Sequence, residues 1–309
     1  MAIFRRYVRP GPGVSKDAVP KRRLVLFFEI LARRFFDLIK LNLLFVVPII
    51  LDLILIYVLN VYAYNIFIPL TFLPLVLISP FVGGLTYVTR NYAREEHAFL
   101  YGDFKDAVKN NWKQFLVHGI ITYLFVLFVY VAFTFYQSQL AVSGFFYVPM
   151  SICFLAALIF LFMQYYIPIM IVTFDLKLRN IYKNALIFAF AGLFYNLLIT
   201  LVLVGFVALA MVLLLTSGLT LIIQFILMLL ISFSLTSFVI NFCVYPKIEK
   251  YLLKPYYEGT ARQEGEDKNK PLEQEERAKL AVEKSEYVYE NGKLVRKHDD
   301  TEPIFEDKL

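Results

Sequence analysis

Residues 41–89 read LNLLFVVPIILDLILIYVLNVYAYNIFIPLTFLPLVLISPFVGGLTYVT and contain no lysine or arginine. The stretches 114–176 and 184–246 share this property, so the chain has cation-free runs of 49, 63 and 63 residues. A hydrocarbon core of about 30 Å is crossed by roughly 20 apolar residues of helix. Each run therefore accommodates two membrane-spanning helices and a short turn. The sequence predicts an all-α integral membrane protein with a six-helix transmembrane bundle built as three hairpins.

The composition agrees with this class, because 59% of the residues are hydrophobic and only 18% are charged. The net charge of +6 is distributed unevenly. Residues 1–254 hold 21 basic and 10 acidic groups, whereas residues 255–309 hold 10 basic and 15 acidic groups. The positive excess lies beside the predicted spans, which indicates anionic lipid head groups as partners and argues against nucleic acid.

The distribution of basic residues also predicts an orientation. Within a membrane domain over 41–246, the predicted spans are 41–60, 67–88, 115–136, 148–173, 187–214 and 219–244. The segments 1–40, 89–114, 174–186 and 245–309 contain ten, five, three and thirteen basic residues, and the alternate connections contain none. Because cytoplasmic loops carry the excess of Lys and Arg, we expect a multi-pass plasma-membrane protein with both termini cytoplasmic.

The segments outside the spans divide into four parts. The prolines and glycines of residues 1–20 predict a flexible N-terminus, and residues 21–40 predict a cytoplasmic interfacial helix. Residues 102–113 predict a second surface helix, capped by Asp103, whose exposed face makes Phe104 and Trp112 candidate partner-docking residues. Residues 255–309 predict a polar, acidic cytoplasmic tail with a short helix over 272–284 and a hairpin around Asn291-Gly292. Ile304 and Phe305 at its end are further docking candidates, unless the tail is simply a solvated extension.

Four polar side chains inside the predicted spans form the candidate intramembrane site. Asp52 lies in span one without an intramembrane cation, and Gln224 in span six is its candidate partner for relaying a proton or cation; a packing role is the alternative. Gln164 and Asn196 fall at matching depths, where amides commonly bridge neighbouring helices, although they could instead contact a substrate.

Signatures of enzymes and of metal sites are missing from the sequence. No GxSxG, P-loop, HExxH or dinucleotide-binding pattern occurs, and the two cysteines, Cys153 and Cys243, lie inside predicted spans as small apolar residues. We therefore assign no catalytic, cofactor-binding or metal-binding residue and expect a non-enzymatic protein without a cofactor.

Two segments resemble a known family. Residues 36–48 (FDLIKLNLLFVVP) are similar to the first span of the YesL-like bacterial membrane proteins, and residues 80–90 (PFVGGLTYVTR), followed by residues 103–115, resemble the second span and loop of that family. The resemblance implies a multi-pass plasma-membrane protein of uncharacterised activity, often associated with carbohydrate uptake genes in Gram-positive bacteria. Such a family has no established catalytic residues, so none is carried over.

These observations leave two functions open. The first is a non-enzymatic membrane protein, accessory to carbohydrate uptake or envelope physiology, that binds a transporter or another membrane protein. The second is a small secondary transporter with a polar intramembrane cavity. Polar groups gathered in one cavity would favour transport, whereas a filled bundle with exposed aromatic faces would favour the accessory role.

Overall fold

The computed structural model describes residues 22–62, 72–253, 287–290 and 293–296. The predictions for the flexible N-terminus, for the tail helix over 272–284 and for Ile304 and Phe305 lie outside these residues. All statements about contacts below refer to the described part of the chain.

Six helices of the described chain are long and apolar enough to cross a membrane, which confirms the predicted number. We call them spans 1 to 6, with bounds Phe35–Tyr62, Leu73–Ala93, Leu100–Gln139, Gly144–Thr173, Leu193–Val212 and Gly218–Leu252. Their α-helical parts and the flanking helices are α1 (Arg23–Arg33), α2 (Phe35–Tyr62), α3 (Ser79–Ala93), α4 (Leu100–Gln139), α5 (Tyr147–Gln164), α6 (Ile167–Thr173), α7 (Leu178–Ala191), α8 (Leu193–Thr216), α9 (Gly218–Leu227) and α10 (Phe233–Ile248).

The predicted interfacial helix over 21–40 differs from the structure. Helix α1 ends at Arg33, Arg34 leaves the helical conformation, and α2 begins at Phe35 and continues without a break to Tyr62. Residues 35–40 therefore extend span 1 instead of lying along the interface. Ile30 packs α1 against the bundle with no exposed surface.

The predicted surface helix over 102–113 is the first part of the 40-residue helix α4. No proline or glycine separates this amphipathic segment from the apolar one, so the helix runs on. Asp103 is not the capping residue: its Oδ2 accepts a hydrogen bond of 2.9 Å from the Phe99 backbone N–H, and Phe99 occupies the N-cap position. The carboxylate still stabilises the helix N-terminus, from inside the first turn.

Two glycines allow α3 and α4 to pack closely. A Cβ atom on Gly83 would lie 2.6 Å from the Phe115 ring, and one on Gly84 would lie 2.7 Å from the Phe104 ring. Phe104 is only 5% exposed as a result. The prediction that Phe104 docks a partner is therefore wrong: its ring contacts span 2, and it belongs to the buried core around α1, α2 and α3.

Polar contacts join the ends of the spans that carry the basic residues. Arg33 pairs with Glu95 at 2.6 Å, Gln114 donates to the Leu176 carbonyl at 3.1 Å, and Arg23 donates to the Phe242 carbonyl at 2.6 Å. We call this the basic end of the bundle and the opposite one, near Gln139 and Gly218, the neutral end. The bundle thus preserves in three dimensions the separation of charge present in the sequence.

The described part of the tail is a β-hairpin. Strand β1 (Tyr287–Glu290) pairs antiparallel with β2 (Lys293–Arg296), with Val288 opposite Val295. Strand β2 lies within contact distance of α6, the last helix of span 4. The chain after span 6 therefore returns to the basic end of the bundle.

Candidate functional site

Spans 2, 4 and 6 each contain a stretch that is not α-helical, which we call an interruption, whereas spans 1, 3 and 5 are single α-helices. In span 2 a 3₁₀ segment, Leu73–Ile78, precedes α3. In span 4 the chain leaves the helix after Gln164 and re-enters it at Ile167, where Pro168 removes the N–H that would otherwise bond the Gln164 carbonyl. In span 6 a π-helical segment, Met228–Ser232, separates α9 from α10.

The side chain of Asn42 satisfies backbone groups at the interruption of span 6. Its amide nitrogen donates to the carbonyls of Met228 and Leu229 at 3.1 and 2.7 Å, and its oxygen accepts the Ser234 N–H at 2.9 Å. Asn42 has no exposed surface. Because a π-helical turn leaves backbone groups without their usual partners in a medium that offers no water, Asn42 is the residue that allows this irregular turn to persist.

A cavity of about 980 Å³ lies where the three interruptions meet. Span 2 contributes Val76 from its interruption and Ser79 from the start of α3. Span 4 contributes Gln164 and Pro168, and span 6 contributes Met228 and Ser232. Further lining residues come from spans 1, 3 and 5, among them Phe45, Phe115, His118, Thr122, Tyr123, Phe206 and Ala210.

A polar network bounds the cavity on the side of the basic end. The Asn241 amide donates to the Thr89 hydroxyl at 2.7 Å and to the Thr86 carbonyl at 3.2 Å, and the hydroxyls of Thr89 and Ser237 lie 2.8 Å apart. These contacts hold span 2 against span 6. Thr86, Ser237 and Asn241 also line the cavity, so the network presents polar surface to it.

Arg90 lies one helical turn beyond Thr86 and is only 2% exposed. Its Nη1 donates to the Val172 carbonyl and the Thr173 hydroxyl at 2.9 and 3.1 Å, and its guanidinium lies 4.5 Å from the centre of the Tyr87 ring. This side chain ties the end of span 2 to the end of span 4. The chain between the cavity and the basic end is therefore densely packed and hydrogen-bonded.

A second group of polar residues, His118, Thr122 and Gln164, lines the cavity between spans 3 and 4; we call it the His118 group. His118 Nδ1 lies 2.7 Å from the Tyr182 hydroxyl. Burial raises the pKa of Tyr182 to about 12. The Thr122 hydroxyl is near enough to oppose this rise, but its geometry does not meet that of a hydrogen bond. Tyr182 is thus a neutral hydroxyl near pH 7, and it donates to or accepts from Nδ1 according to the tautomer of His118.

Two atoms of the His118 group are buried without a hydrogen-bond partner among the described residues: Thr122 Oγ1 and Gln164 Nε2. A buried polar group without a partner costs about 1–3 kcal/mol, so such groups are uncommon and often mark a place where another molecule binds. Gln164 Nε2 can only donate, and Thr122 Oγ1 can donate and accept. The His118 group therefore matches a ligand hydroxyl or carbonyl.

The lining residues of the cavity carry no carboxylate, lysine or arginine. In the part of the chain that the structure describes, there is also no group of three or more His, Cys, Asp and Glu that could hold a metal ion. Most of the lining is aliphatic or aromatic, with hydroxyl and amide groups between. Chemically, the cavity suits an uncharged solute that combines apolar surface with hydrogen-bonding groups.

The structure divides the predicted polar site. Gln164 and Gln224 line the cavity, whereas Asp52 and Asn196 do not. Asp52 is 5% exposed, and neither of its carboxyl oxygens has a hydrogen-bond partner among the described residues, so the predicted contact with Gln224 is not formed.

The predicted bridge between Gln164 and Asn196 is also absent from the described contacts. Asn196 accepts the Tyr166 hydroxyl at 2.7 Å and donates to the Phe188 and Ala189 carbonyls at 3.2 Å. It therefore satisfies the carbonyls at the end of α7, where the chain turns into α8. Asn196 is a structural residue, as amides inside spans commonly are.

Sequence reasoning missed His118, Thr122, Asn42 and Asn241. Asn42 lies within the stretch that resembles the first span of a known family, which was the one available signal for it. Trp112, a predicted docking residue, is 47% exposed and remains available for a partner or for lipid.

The fold and the cavity define a helical membrane protein with six candidate spans. Residues 38–133, about a third of the chain, match a family described as "Protein of unknown function, DUF624". The matched region includes nearly all of span 1, span 2 and most of span 3, and thus Asn42, His118 and Thr122. No curated protein and no solved structure matches the chain.

Proposed function

We propose that the protein is a small, non-enzymatic secondary transporter that binds an uncharged solute in the cavity between its interrupted spans. The observation that carries this proposal is the meeting of three helix interruptions at one cavity. Non-helical backbone at membrane depth is tolerated where it is buried in protein or lines a water-filled cavity. Transporters commonly build their substrate sites from such discontinuous helices.

The class of solute follows from the lining. A cavity of 980 Å³ is at the upper end of the roughly 300–1,000 Å³ of small-molecule sites. Since no lining residue carries a fixed charge, an anion or cation would lose its hydration without gaining a counter-ion. A neutral molecule with hydroxyl or carbonyl groups, such as a polyol or a sugar, could bond Thr122 and Gln164 and place its apolar faces against Phe45 and Phe115.

The proposed topology has three helical hairpins in the plasma membrane, both termini in the cytoplasm and the basic end facing inward. It is supported by the clustering of cations at one end of the bundle. In this orientation the Asn241 network and Arg90 lie between the cavity and the cytoplasm. Transport would require these layers to separate so that the cavity becomes accessible from the cytoplasmic side.

Substituted-cysteine labelling tests the proposal. Cys153 and Cys243 are replaced by serine, and Gln164→Cys or Gln224→Cys is introduced into protein reconstituted in liposomes. We expect Gln164→Cys to react with a membrane-impermeant methanethiosulfonate from either side. The lipid-facing control Leu198→Cys should react from neither side. Failure of both cavity cysteines to react from any side would contradict the proposal.

The accessory role remains a second candidate because Phe99, Tyr101 and Trp112 are exposed near the basic end. Such a surface suits a membrane partner, for instance a carbohydrate uptake system. This function predicts that a deletion strain loses uptake of a carbohydrate which the purified protein does not transport in proteoliposomes. Uptake restored by the purified protein alone would exclude it.

A further inference from the structure

A proline in span 6 creates an acceptor that a cation from α1 occupies. Pro246 lies inside α10 and has no N–H, so the carbonyl of Phe242, four residues earlier, loses its helical partner. Arg23 Nη2 donates to this carbonyl at 2.6 Å, and the guanidinium lies 4.9 Å from the centre of the Phe242 ring. The interaction holds the Arg23 guanidinium at the basic end, with no other hydrogen bond from this group to a described residue.

Lys247 follows this proline and supplies a second cation. Its Nζ lies 3.8 Å from the centre of the Tyr195 ring, and a Cβ atom on Gly192 would lie 3.1 Å from Nζ. Glycine at 192 therefore leaves room for the ammonium group. Among the described residues, neither Lys247 nor Arg23 forms an ion pair with a carboxylate.

Tyr195 connects the two cations. Its hydroxyl donates to the Cys243 carbonyl at 2.9 Å, next to the Phe242 carbonyl that Arg23 occupies. Its ring lies beneath Lys247, so the same side chain contacts one cation and bonds the carbonyl adjacent to the one that the other cation occupies. Arg23 and Lys247 are thus linked through Tyr195 and the adjacent carbonyls of Phe242 and Cys243. We call the two cations, together with Tyr195, the Arg23–Lys247 cluster.

The surroundings of the Arg23–Lys247 cluster are apolar and outward-facing. Phe194, the neighbour of Tyr195, is 85% exposed, and Leu198 one turn further along α8 is also exposed. On α1, Leu24 and Phe28 are exposed in the same way. A molecule that binds the two cations would therefore find apolar surface beside them.

We propose that the Arg23–Lys247 cluster binds the phosphate of an anionic phospholipid head group, with the acyl chains lying along Phe194 and Leu198. A phosphate offers an acceptor to the free guanidinium donors and a counter-charge to Lys247. Basic pockets between membrane helices are known to bind such head groups. A free phosphoester shares the phosphate chemistry but lacks the acyl chains that the exposed residues would contact.

Native mass spectrometry of the full chain tests this site. The protein is released from nanodiscs of equal parts phosphatidylcholine and phosphatidylglycerol, and the retained lipids are counted. We expect the wild type to retain phosphatidylglycerol preferentially. The double variant Arg23→Gln/Lys247→Gln should lower this preference roughly 30-fold, since each cation near a membrane surface contributes to the affinity for anionic lipid. The matched control is Lys250→Gln, which removes an exposed cation three residues after Lys247. This variant should retain the wild-type preference.

Three outcomes are decisive. Equal retention of both lipids by the wild type, or an unchanged preference in the double variant, would overturn the proposal. Displacement of the lipid by soluble glycerol phosphate would assign the cluster to a free phosphoester and overturn it as well. If the double variant does not fold, Arg23→Lys/Lys247→Arg keeps both charges, and retention of the preference by this variant supports the site. These results are independent of solute transport.

Discussion

The odd-numbered and even-numbered spans differ in the continuity of their backbone. Spans 1, 3 and 5 are continuous helices α2, α4 and α8, of 28, 40 and 24 residues. Spans 2, 4 and 6 each change conformation within the bundle, through a 3₁₀ segment, a non-helical link and a π-helical segment. All three changes occur beside the cavity. The continuous spans enclose the site, and the interrupted spans supply most of its irregular backbone.

This difference shows how a bundle with few polar residues can form a polar site. Interrupting a helix exposes carbonyl and N–H groups, which must find partners inside the protein. The continuous span 1 provides one such partner, Asn42. We therefore expect distinct effects from replacing a residue that supports an interruption, a residue that sets the packing of two spans, and a residue that lines the cavity.

The largest effect is expected at Asn42. The substitution Asn42→Leu removes three hydrogen bonds to the π-helical segment and leaves the Met228 and Leu229 carbonyls without this partner. We expect the free energy of unfolding to fall by about 3 kcal/mol. It is measured by sodium dodecyl sulfate titration in dodecylmaltoside micelles, followed by circular dichroism.

Asn60→Leu is the matched control, because the hydrogen bond that its amide forms with the described residues goes to the Ile56 carbonyl within its own helix. It should change the stability by less than about 1 kcal/mol. Equal losses in the two variants would mean that Asn42 does not specifically support the interruption of span 6.

Substitution of Gly83 tests the packing between an interrupted span and a continuous one. The change Gly83→Leu introduces a side chain where even a Cβ atom would lie 2.6 Å from the Phe115 ring. Overpacking should lower the free energy of unfolding by about 2 kcal/mol in the same titration. Gly205→Leu is the control, because a Cβ atom there meets nothing within 4 Å. Comparable losses at both positions would contradict close packing of α3 on α4.

A change in the opposite direction is expected at Asp52. Its carboxyl oxygens are buried and have no hydrogen-bond partner in the part of the chain that the structure describes. Replacing the side chain in Asp52→Leu should therefore raise the free energy of unfolding, by about 1–2 kcal/mol. A fall in stability would show that Asp52 has a partner essential to the fold and that span 1 supports the bundle at Asp52 as well as at Asn42.

The smallest effect is expected in the cavity. Gln164→Leu removes an amide nitrogen without a partner, so stability should stay constant or rise by up to about 1 kcal/mol. Asn196→Leu, which removes three satisfied hydrogen bonds, should lower it. If thermal unfolding shows that Gln164→Leu destabilises as much as Asn196→Leu, Gln164 is a structural residue and not part of a binding site.

The absence of cations from three long stretches predicted the number of spans, because charged groups are costly in hydrocarbon. The interruption of span 4 was not predicted, although it has a local signal, because Pro168 lacks the N–H that would bond the Gln164 carbonyl. The interruption of span 6 has no such marker: residues 228–232 read MLLIS, and their π-helical form depends on Asn42, which lies 186 residues away from Met228. Local patterns do not contain that contact.

The sequence predicted only part of the candidate site, because local patterns do not contain contacts between distant residues. Gln164 and Gln224 stood out as amides in apolar spans, and both line the cavity. Depth along a helix can be estimated from the sequence, but the direction of a side chain around the bundle cannot. Asn196 therefore faces the end of α7 instead of Gln164. Phe104 likewise faces Gly84 and not a partner.

The contact of Asn42 with the last span has a consequence for biosynthesis. Span 1 enters the membrane long before Met228 is made, and at roughly 5–20 residues per second the delay over 186 residues is about 10–40 seconds. During that interval the Asn42 amide must be occupied by water, lipid or the insertion machinery. The bundle can reach its final arrangement only after span 6 has been synthesised, because the partners of Asn42 lie in that span.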